Sequence, residues 1–330
     1  MRGLKVTTLA LLAALSLPAG CSTLSSQKPD SIVVAYSPFE NMALFWIAED
    51  RGFFVRNGLR VSSRKYDTGA GSLDGMLKGE GDVTVGVTEF PTARRVLERR
   101  KARIVASIAK VEQIYLVANK NRGIGKIADL KGKRVGTTLG TVAHFYLGRL
   151  LELNEMSVED VTVVDVKTPA GWVNAVADGD IDAIVTAQPY ADAAKRRLGA
   201  KGAIWQAQAG QPIFGLVVST DEWTTKQPEP ARKLLAALAE AEEYAIRNPA
   251  RSKAIVGKRL NVSAAYIEAV WSRDQFQLSL DQSLVVAMED EARWMIRNGI
   301  ASEKSIPDFT GGIYTDALEA VKPEAVNIIR

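Results

Sequence analysis

Thr138, Gly140, Thr141 and Val142 place small and polar groups at one corner of the chain. They lie in "RVGTTLGTVAHFYLGRLLELN", which reads as a buried strand, a tight turn and a helix. The first turn of a helix leaves main-chain N–H groups unpaired, and such groups favour anions. This corner therefore predicts a site where N–H and hydroxyl groups hold something negatively charged or polar without a salt bridge. The alternative is that Thr141 only caps the helix and Thr138 hydrogen-bonds locally.

The single histidine, His144, limits the catalysis that the chain can perform. It lies one turn into the predicted helix, where it either donates a hydrogen bond to a ligand or points away from it. The sequence shows no further partners for a Ser/His/Asp set, no metal-binding cluster and no Gly-rich phosphate loop. We therefore expect no enzyme activity, no cofactor and no metal.

Alternating strands and helices must position this corner. A strand begins at Ile32, a helix capped by Asn41 stops at Gly52, and a second strand leads to a helix capped by Ser72. A third strand, "DVTVGVT", completes a β-α-β-α-β order that predicts a parallel sheet covered by helices. The same alternation returns in the middle of the chain, and the last third is mainly helical.

The N-terminus has the pattern of an export signal. Arg2 and Lys5 precede the apolar stretch "VTTLALLAALSLPAG", which is short for a membrane span. We expect residues 1–20 to be a signal peptide, 21–31 a tether, and Cys21 a lipid-attachment site on the extracytoplasmic side. Pro18 stands where lipoprotein signals usually carry Leu, so cleavage after Ala19 and a soluble periplasmic protein is the alternative.

The charge balance argues against a nucleic-acid partner. The chain has 42 basic and 38 acidic residues, and losing Arg2 and Lys5 with the signal leaves 40 basic residues. Nucleic-acid binding usually requires a clustered basic face. We expect a monomer whose partners are a small molecule and a membrane.

Four stretches resemble the sulfonate, nitrate, taurine and thiamine-precursor binding proteins of ABC importers. They are "ALFWIAEDRGFFVRNGLRV", "GAGSLDGMLKGEGDVTV", "DLKGKRVGTTLGTVAHFYLGRLLE" and "AVADGDIDAIVTAQPYAD". The resemblance covers residues 32–245 and implies a type II periplasmic binding protein fold, with a ligand cleft between two α/β lobes. Lobe 1 would hold residues 32–116 and 217–330, and lobe 2 residues 117–216. The chain would cross between the lobes near Leu116–Lys120 and Pro212–Leu216.

The resemblance and the strand ends together predict the remaining ligand contacts, because ligands of open α/β sheets bind beyond the carboxyl ends of the strands. These residues are Ser37, Pro38, Phe39, Ser72, Thr88, Glu89, Trp172, Gln188 and Tyr190. Phe39 and Trp172 would pack on an apolar part of the ligand or belong to the lobe surface. Glu89 would pair with an amine of the ligand, or else face solvent or neutralise an arginine.

The expected function is therefore capture of a small anionic or zwitterionic solute for an ABC permease, by closure of a hinge between the lobes. A binder of a thiamine-pyrimidine precursor or another small heterocycle is the alternative. An enzyme of the same fold is more remote, because the related pyrimidine synthases use a cysteine-rich motif and the only cysteine here lies in the export region. A regulator would carry a helix-turn-helix where the signal stands.

Overall fold

The computed structural model describes residues 29–208 and 210–329. The predicted signal peptide and Cys21 lie outside these residues. Within the described part of the chain, no helix is both long and apolar enough to cross a membrane.

Strands and α-helices alternate over the first two thirds of the chain, and helices dominate the last third. The strands are β1 (Asp30–Tyr36), β2 (Leu59–Lys65), β3 (Val83–Thr88), β4 (Ala102–Val111), β5 (Ile114–Asn119), β6 (Arg134–Thr137), β7 (Thr162–Asp165), β8 (Ala183–Ala187), β9 (Gly202–Gln206), β10 (Ile213–Thr220), β11 (Leu280–Asp281) and β12 (Val326–Asn327). The α-helices are α1 (Ala43–Asp50), α2 (Phe53–Arg56), α3 (Gly69–Leu77), α4 (Glu89–Leu97), α5 (Val142–Glu152), α6 (Pro169–Asp178), α7 (Tyr190–Leu198), α8 (Asp221–Lys226), α9 (Pro228–Arg247), α10 (Pro249–Leu260), α11 (Ala264–Arg273), α12 (Gln282–Arg297) and α13 (Asp316–Val321).

The first sheet has the strand order β2-β1-β3-β10-β4. Its strands β1, β2 and β3 are parallel and are separated by helices, which confirms the predicted β-α-β-α-β order. Strand β10, which the predicted order did not include, is antiparallel to β3 and β4, so the complete sheet differs from the predicted one in being mixed. The difference arises because β10 enters this sheet from the second one.

The second sheet has the strand order β7-β6-β8-β5-β9. Strand β6 is parallel to β7 and β8, while β5 is antiparallel to β8 and β9. Each of the two sheets therefore has a parallel part and one inserted antiparallel strand. These two sheets form the two α/β lobes of a periplasmic binding protein fold.

Two aspartates occupy equivalent places in the two sheets. Asp82, just before β3, accepts a hydrogen bond at Oδ2 from the main-chain N–H of Val33 in β1, over 2.7 Å. Asp182, just before β8, accepts one at Oδ2 from the main-chain N–H of Arg134 in β6, over 2.9 Å. In each lobe the carboxylate ties the start of one strand to its parallel neighbour.

The chain passes between the sheets at residues 112–113 and again between the end of β9 and the start of β10. Strand β4 belongs to the first sheet and β5 to the second, and β9 and β10 are divided in the reverse sense. The predicted crossing near Leu116–Lys120 is wrong, because residues 114–119 pair within the second sheet. Pro212 does lie in the crossing, but residues 213–216 already belong to β10. The apolar run "ARIVASIAKVEQIYLVAN" reads as continuous because no Gly or Pro marks its break.

Two of the predicted helix caps are wrong. Asn41 lies inside a 3₁₀ turn, Glu40–Met42, that precedes α1. Ser72 lies inside α3, whose N-cap is Thr68. The prediction for Gly52 is confirmed, since this residue follows α1 with the positive φ that terminates a helix.

Helix α12 packs against both lobes. Its Trp294 is fully buried and packs edge-on against Phe90 of α4, with ring centroids 6.0 Å apart, and against Phe145 of α5 at 5.6 Å. Helix α5 comes this close because Gly148 faces the indole. A Cβ atom at this position would stand 2.3 Å from Cζ2 of Trp294.

Candidate functional site

A cleft lies between the two sheets at the predicted position. It encloses about 550 Å³, counted to its open mouth, and takes its lining from both lobes. Seven of the predicted residues line it: Ser37, Phe39, Thr88, Thr138, Thr141, Val142 and Trp172. The structure therefore brings together residues that are up to 135 positions apart (Ser37 and Trp172) at one site.

Six other predicted residues are not part of this lining: Pro38, Ser72, Glu89, Gly140, Gln188 and Tyr190. Ser72 is buried, and its Oγ donates to the main-chain oxygen of Gly69 over 2.9 Å. The side chain of Gln188 is turned to helix α7, where its Nε2 donates to Oδ1 of Asp192 over 3.0 Å. Both polar groups are thus engaged within the lobe that carries them.

Gly140 faces the other lobe and not the cleft. It has a φ of +75°, a conformation that glycine adopts without strain. A Cβ atom at Gly140 would stand 3.1 Å from Nη1 of Arg94 in helix α4. The small residue at this position therefore serves a close approach between the two lobes.

Glu89 has its carboxyl group buried beside helix α12. Its Oε2 accepts a hydrogen bond from the main-chain N–H of Phe214, at the start of β10, over 2.9 Å. Burial raises the pKa of Glu89, and burial together with the charge of Glu89 raises the pKa of Glu291 in α12. This carboxyl group holds the strand that returns from the second lobe, so the expected contact with an amine of the ligand has no geometric support.

Three aromatic rings pack together beside the cleft, and two of them, Phe39 and Trp172, line it. Phe39 follows β1 of the first lobe, and its ring centroid lies 6.4 Å from that of Trp172 and 6.0 Å from that of Tyr190. Trp172 and Tyr190 belong to the second lobe and pack edge-on at 5.0 Å. The ring of Phe39 is therefore the first lobe's contribution to an aromatic cluster that spans the cleft.

His144 is directed away from the cleft. Its ring packs edge-on against Trp294 at 5.3 Å, and burial lowers the pKa of His144 to about 4. The imidazole is therefore neutral at pH 7 and belongs to the packing between α5 and α12. Across the described residues, no group of three or more His, Cys, Asp or Glu side chains could hold a metal ion.

The threonine hydroxyls at the start of α5 are already hydrogen-bonded. Thr141 Oγ1 donates to the main-chain oxygen of Thr138 over 2.8 Å, and Thr138 Oγ1 donates to the main-chain oxygen of Val166 over 2.7 Å. Trp172 Nε1 donates to Thr138 Oγ1 over 2.9 Å. The alternative that these hydroxyl groups only form hydrogen bonds within their own lobe therefore applies. They stabilise the conformation of the loop before α5.

The main-chain N–H groups at the same corner remain free. Thr141 is the N-cap of α5, and the first internal bond of the helix is donated by His144. Among the residues that the structure describes, the N–H groups of Val142 and Ala143 have no acceptor. Both residues line the cleft. The donors at this corner are thus the backbone groups at the positive end of a helix.

Helix α3 presents the same arrangement from the first lobe. Its N-cap Thr68 accepts at Oγ1 from the N–H of Gly71 over 3.0 Å. The N–H groups of Gly69 and Ala70 have no acceptor within the described chain, and both residues line the cleft. Two helix starts, one from each lobe, therefore face one cavity.

The lining side chains carry no formal charge, because no Asp, Glu, Lys, Arg or His is among the described residues that form the cleft. Dipoles alone must then compensate a charged ligand. A hydrogen bond to a charged group contributes roughly 1.5–3 kcal/mol, and a helix start adds roughly 0.3–1 kcal/mol. The site can hold one anionic group, but it offers no carboxylate to an ammonium group.

Several residues of the lining were not predicted from the sequence. Asn41, Thr68, Gln113 and Thr186 are the polar ones among them. Thr68 had a detectable signal, because it stands three residues before Gly71 in a Thr-Gly-Ala-Gly-Ser run that suits a helix start. Gln113 was missed because the first crossing was placed too late in the chain.

Comparisons with known proteins show which proteins this chain is similar to in sequence. The sequence model of the family described as NMT1/THI5 like matches residues 40–252. A Brucella abortus protein described as a candidate binding protein is 27% identical over 67% of this chain and 69% of its own length. The taurine-binding periplasmic protein of Escherichia coli is 25% identical over 61% of this chain and 62% of its own length.

Solved structures share the fold at low sequence identity. The alkanesulfonate-binding protein SsuA of Xanthomonas axonopodis pv. citri, bound to MOPS, gives a TM-score of 0.75 at 16% identity. The match covers 88% of this chain and all of that one. The desulfurization enzyme DszB gives a TM-score of 0.64 at 15% identity and covers 90% of this chain and 99% of its own. Binding proteins and an enzyme thus share this fold.

Two α/β lobes around a cleft define the chain as a protein of the periplasmic binding protein fold. The chain belongs to the NMT1/THI5-like family, whose model covers more than half of it. Binding proteins for sulfonates and taurine are its relatives and structural neighbours. The taurine-binding relative from Escherichia coli is a periplasmic protein.

Proposed function

We propose that this protein captures a small anionic or zwitterionic solute, of the sulfonate, taurine or nitrate kind, for an ABC importer. The observation that carries the proposal is the pair of free helix starts, at Gly69–Ala70 and Val142–Ala143, that face one uncharged cleft from opposite lobes. Each start offers two main-chain N–H donors to an anion. The taurine- and alkanesulfonate-binding relatives support the same class of ligand.

Binding is coupled to closure of the two lobes in this proposal. An anion that contacts both helix starts is fully hydrogen-bonded only when the lobes are together, so the ligand shifts the population towards the closed form. The bend would fall in the crossing segments, at residues 112–113 and between the end of β9 and the start of β10. The closed form, as a monomer, would then dock on the permease with both lobe surfaces.

The export pattern adds the cellular setting. We propose that the chain is exported and anchored by a lipid on Cys21, with residues 22–31 as a tether, and that a soluble periplasmic form is the alternative. No cofactor takes part in this function. The binding proteins among its relatives favour binding over catalysis, although DszB has the same fold.

A small heterocycle, such as a thiamine-pyrimidine precursor, is the second candidate. The rings of Phe39 and Trp172 line the cleft, and an aromatic ligand can pack against such rings. The uncharged lining also suits a neutral ligand. This candidate differs from the first in requiring no anionic group.

A thermal-shift screen of the mature chain separates these candidates. The panel is taurine, short alkanesulfonates, nitrate, bicarbonate and an aminopyrimidine. At a free concentration of 100 times Kd, a ligand of the folded state stabilises it by about 2.7 kcal/mol, which is readily measured. A response to sulfonates or taurine supports the first proposal. A response to the pyrimidine alone would replace it with the second.

A further inference from the structure

Asn41 holds an unpaired amide oxygen in the wall of the cleft. Its side chain is 1% exposed, and its Nδ2 donates to the main-chain oxygen of Gly86 over 2.9 Å. This bond fixes the orientation of the amide and leaves Oδ1 as the free atom. Among the described residues Oδ1 has no hydrogen-bond partner, although it is buried and its residue lines the cleft.

Two glycines of the first sheet lie close to the side chain of Asn41. Gly86 in β3 has a φ of +79°, and a Cβ there would stand 2.4 Å from Cγ of Met42 and 3.2 Å from Oδ1 of Asn41. On the other side, a Cβ at Gly215 in β10 would stand 3.0 Å from Cβ of Asn41. Strand β10 also shifts its register at Gly215. Strands β3 and β10 therefore carry glycines where residues Asn41 and Met42 pack against them.

Ser37 adds a second unpaired group in the same wall. Its hydroxyl is fully buried, lines the cleft and has no partner within the described chain. A hydroxyl can donate or accept, but an amide oxygen can only accept. A buried acceptor left without a donor is costly, so its presence in a native protein calls for an explanation.

We propose that Asn41 is a specificity-determining residue, whose Oδ1 accepts a hydrogen bond from an N–H or O–H group on the ligand. The ligand thus has two ends: an anionic group at the helix starts of α3 and α5, and a donor group at Asn41 with Ser37 beside it. This inference rests on the proposed capture of a small anion. It extends that function by selecting anions that carry a donor over those with an alkyl end of the same size.

The selection follows from the difference between a paired and an unpaired acceptor. A donor-bearing ligand satisfies Oδ1, whereas an alkyl ligand leaves it unpaired. A site built to hydrogen-bond a ligand group rejects the analogue that lacks it far more strongly than an apolar pocket separates similar shapes. We expect a ratio of about tenfold or more in Kd.

The test uses matched ligands on the wild-type protein. Isothermal titration compares taurine and 2-hydroxyethanesulfonate with 1-propanesulfonate, and β-alanine and 3-hydroxypropionate with butyrate. Tighter binding of the donor-bearing members by about tenfold supports the role of Asn41. Equal binding within each set would overturn it while leaving the capture of an anion intact. Absence of binding by all six compounds would overturn capture of a sulfonate or carboxylate and this inference with it, and the nitrate and bicarbonate arms of the thermal-shift screen would then decide whether any anion is bound.

The variant Asn41→Leu assigns the selection to this side chain. It keeps the approximate shape and removes the acceptor, so the affinity for donor-bearing ligands should fall to that for 1-propanesulfonate. Asn298→Leu is the matched control, because Asn298 also donates through Nδ2 to a main-chain oxygen, that of Trp294, but does not line the cleft. An Asn41→Leu protein that keeps the wild-type ratio would overturn the assignment. If Asn41→Leu does not fold, the ratio in the wild-type protein decides the outcome.

Discussion

The buried carboxyl group of Glu40 makes the stability of this protein fall as the pH rises. Glu40 precedes Asn41 in the turn before α1 and is fully buried. Its Oε1 accepts a hydrogen bond from the hydroxyl of Tyr266 over 3.1 Å, and its Oε2 has no partner within the described chain. Burial, and then the charge of Asp274, raises the pKa of Glu40 from 4.5 to about 8.

Arg273 opposes this shift but does not reverse it. Its Nη2 lies 4.0 Å from Oε1 of Glu40, while its Nε and Nη2 donate to the carboxylate of Asp274 over 2.9 and 3.4 Å. The guanidinium is therefore engaged mainly by Asp274. Glu40 remains protonated in the folded protein at neutral pH.

The sign and size of the effect follow from proton linkage. In the unfolded chain Glu40 ionises near its ordinary pKa, so between about pH 4.5 and 8 the folded state binds more protons than the unfolded state. The contribution of this group is fully present below pH 4.5 and is lost as the pH rises towards 8, by up to about 1.4 kcal/mol per pH unit. Between pH 5.5 and 7.5 the loss is roughly 2–3 kcal/mol.

Glu40→Gln isolates this contribution. The amide keeps the size of the side chain and an acceptor for Tyr266, but it does not titrate. Urea unfolding at pH 5.5 and 7.5 should show that the wild type loses roughly 2–3 kcal/mol more than the variant. Glu319→Gln, at a solvent-exposed position of α13, is the control and should keep the wild-type pH dependence. Identical pH dependence of wild type and Glu40→Gln would refute the reasoning, since Glu40 would then be ionised in the folded state.

Three further substitutions test other parts of the structure. Phe39→Ala removes the first lobe's ring from the aromatic cluster across the cleft, and titration should show ligand affinity reduced by about tenfold; unchanged affinity would mean that the cluster does not assist closure. Gly148→Ala places a Cβ 2.3 Å from Trp294 and should cost about 1–3 kcal/mol in urea unfolding. Gly311→Ala, which meets no atom within 4 Å, should be neutral, and equal effects would contradict the packing between α5 and α12. Cys21→Ser should move the protein from the membrane fraction to the soluble fraction, and an unchanged distribution would refute the lipid anchor.

The order of strands and helices could be predicted because it depends on local periodicity. Apolar runs bounded by Gly and Pro gave β1 to β3 and the helices between them. The antiparallel insertion of β10 and the passage at residues 112–113 depend on pairing between distant segments. No turn residue marks this passage, so the sequence contained no signal for it.

The start of α5 was predictable in part. The small residues and the strand-to-helix transition identified a corner with free main-chain donors, and Val142 does line the cleft. The state of the hydroxyls was not predictable, because Thr138 pairs with Val166 and Trp172, which come from other elements. The local sequence defines which main-chain N–H groups lack a hydrogen-bond acceptor. Tertiary contacts decide which side-chain hydroxyls remain unpaired.

Glu89 and Asn41 illustrate the opposite limit. Both follow strand ends of the first lobe. At such a turn, a shift of one residue along the chain decides whether a side chain faces the cleft or the core. Glu89 turns towards Phe214 and α12, and Asn41 turns into the wall of the cleft. The sequence offered no periodic pattern over these short turns. Glu89 was therefore expected in the cleft and Asn41 was not, whereas Asn41 lines it and Glu89 does not.

A single backbone donor tests the central claim most directly. Val142→Pro removes the N–H of the first residue of α5, where proline is well tolerated, and Thr141 already has the extended conformation that a following proline requires (φ −113°, ψ 168°). Ala264→Pro is the matched control at the first residue of α11, an exposed position outside the cleft. Titration with the tightest anion of the thermal-shift panel should show affinity reduced by about tenfold or more for Val142→Pro and unchanged for Ala264→Pro. Equal affinity of a folded Val142→Pro protein and the wild type would contradict anion binding at this helix start.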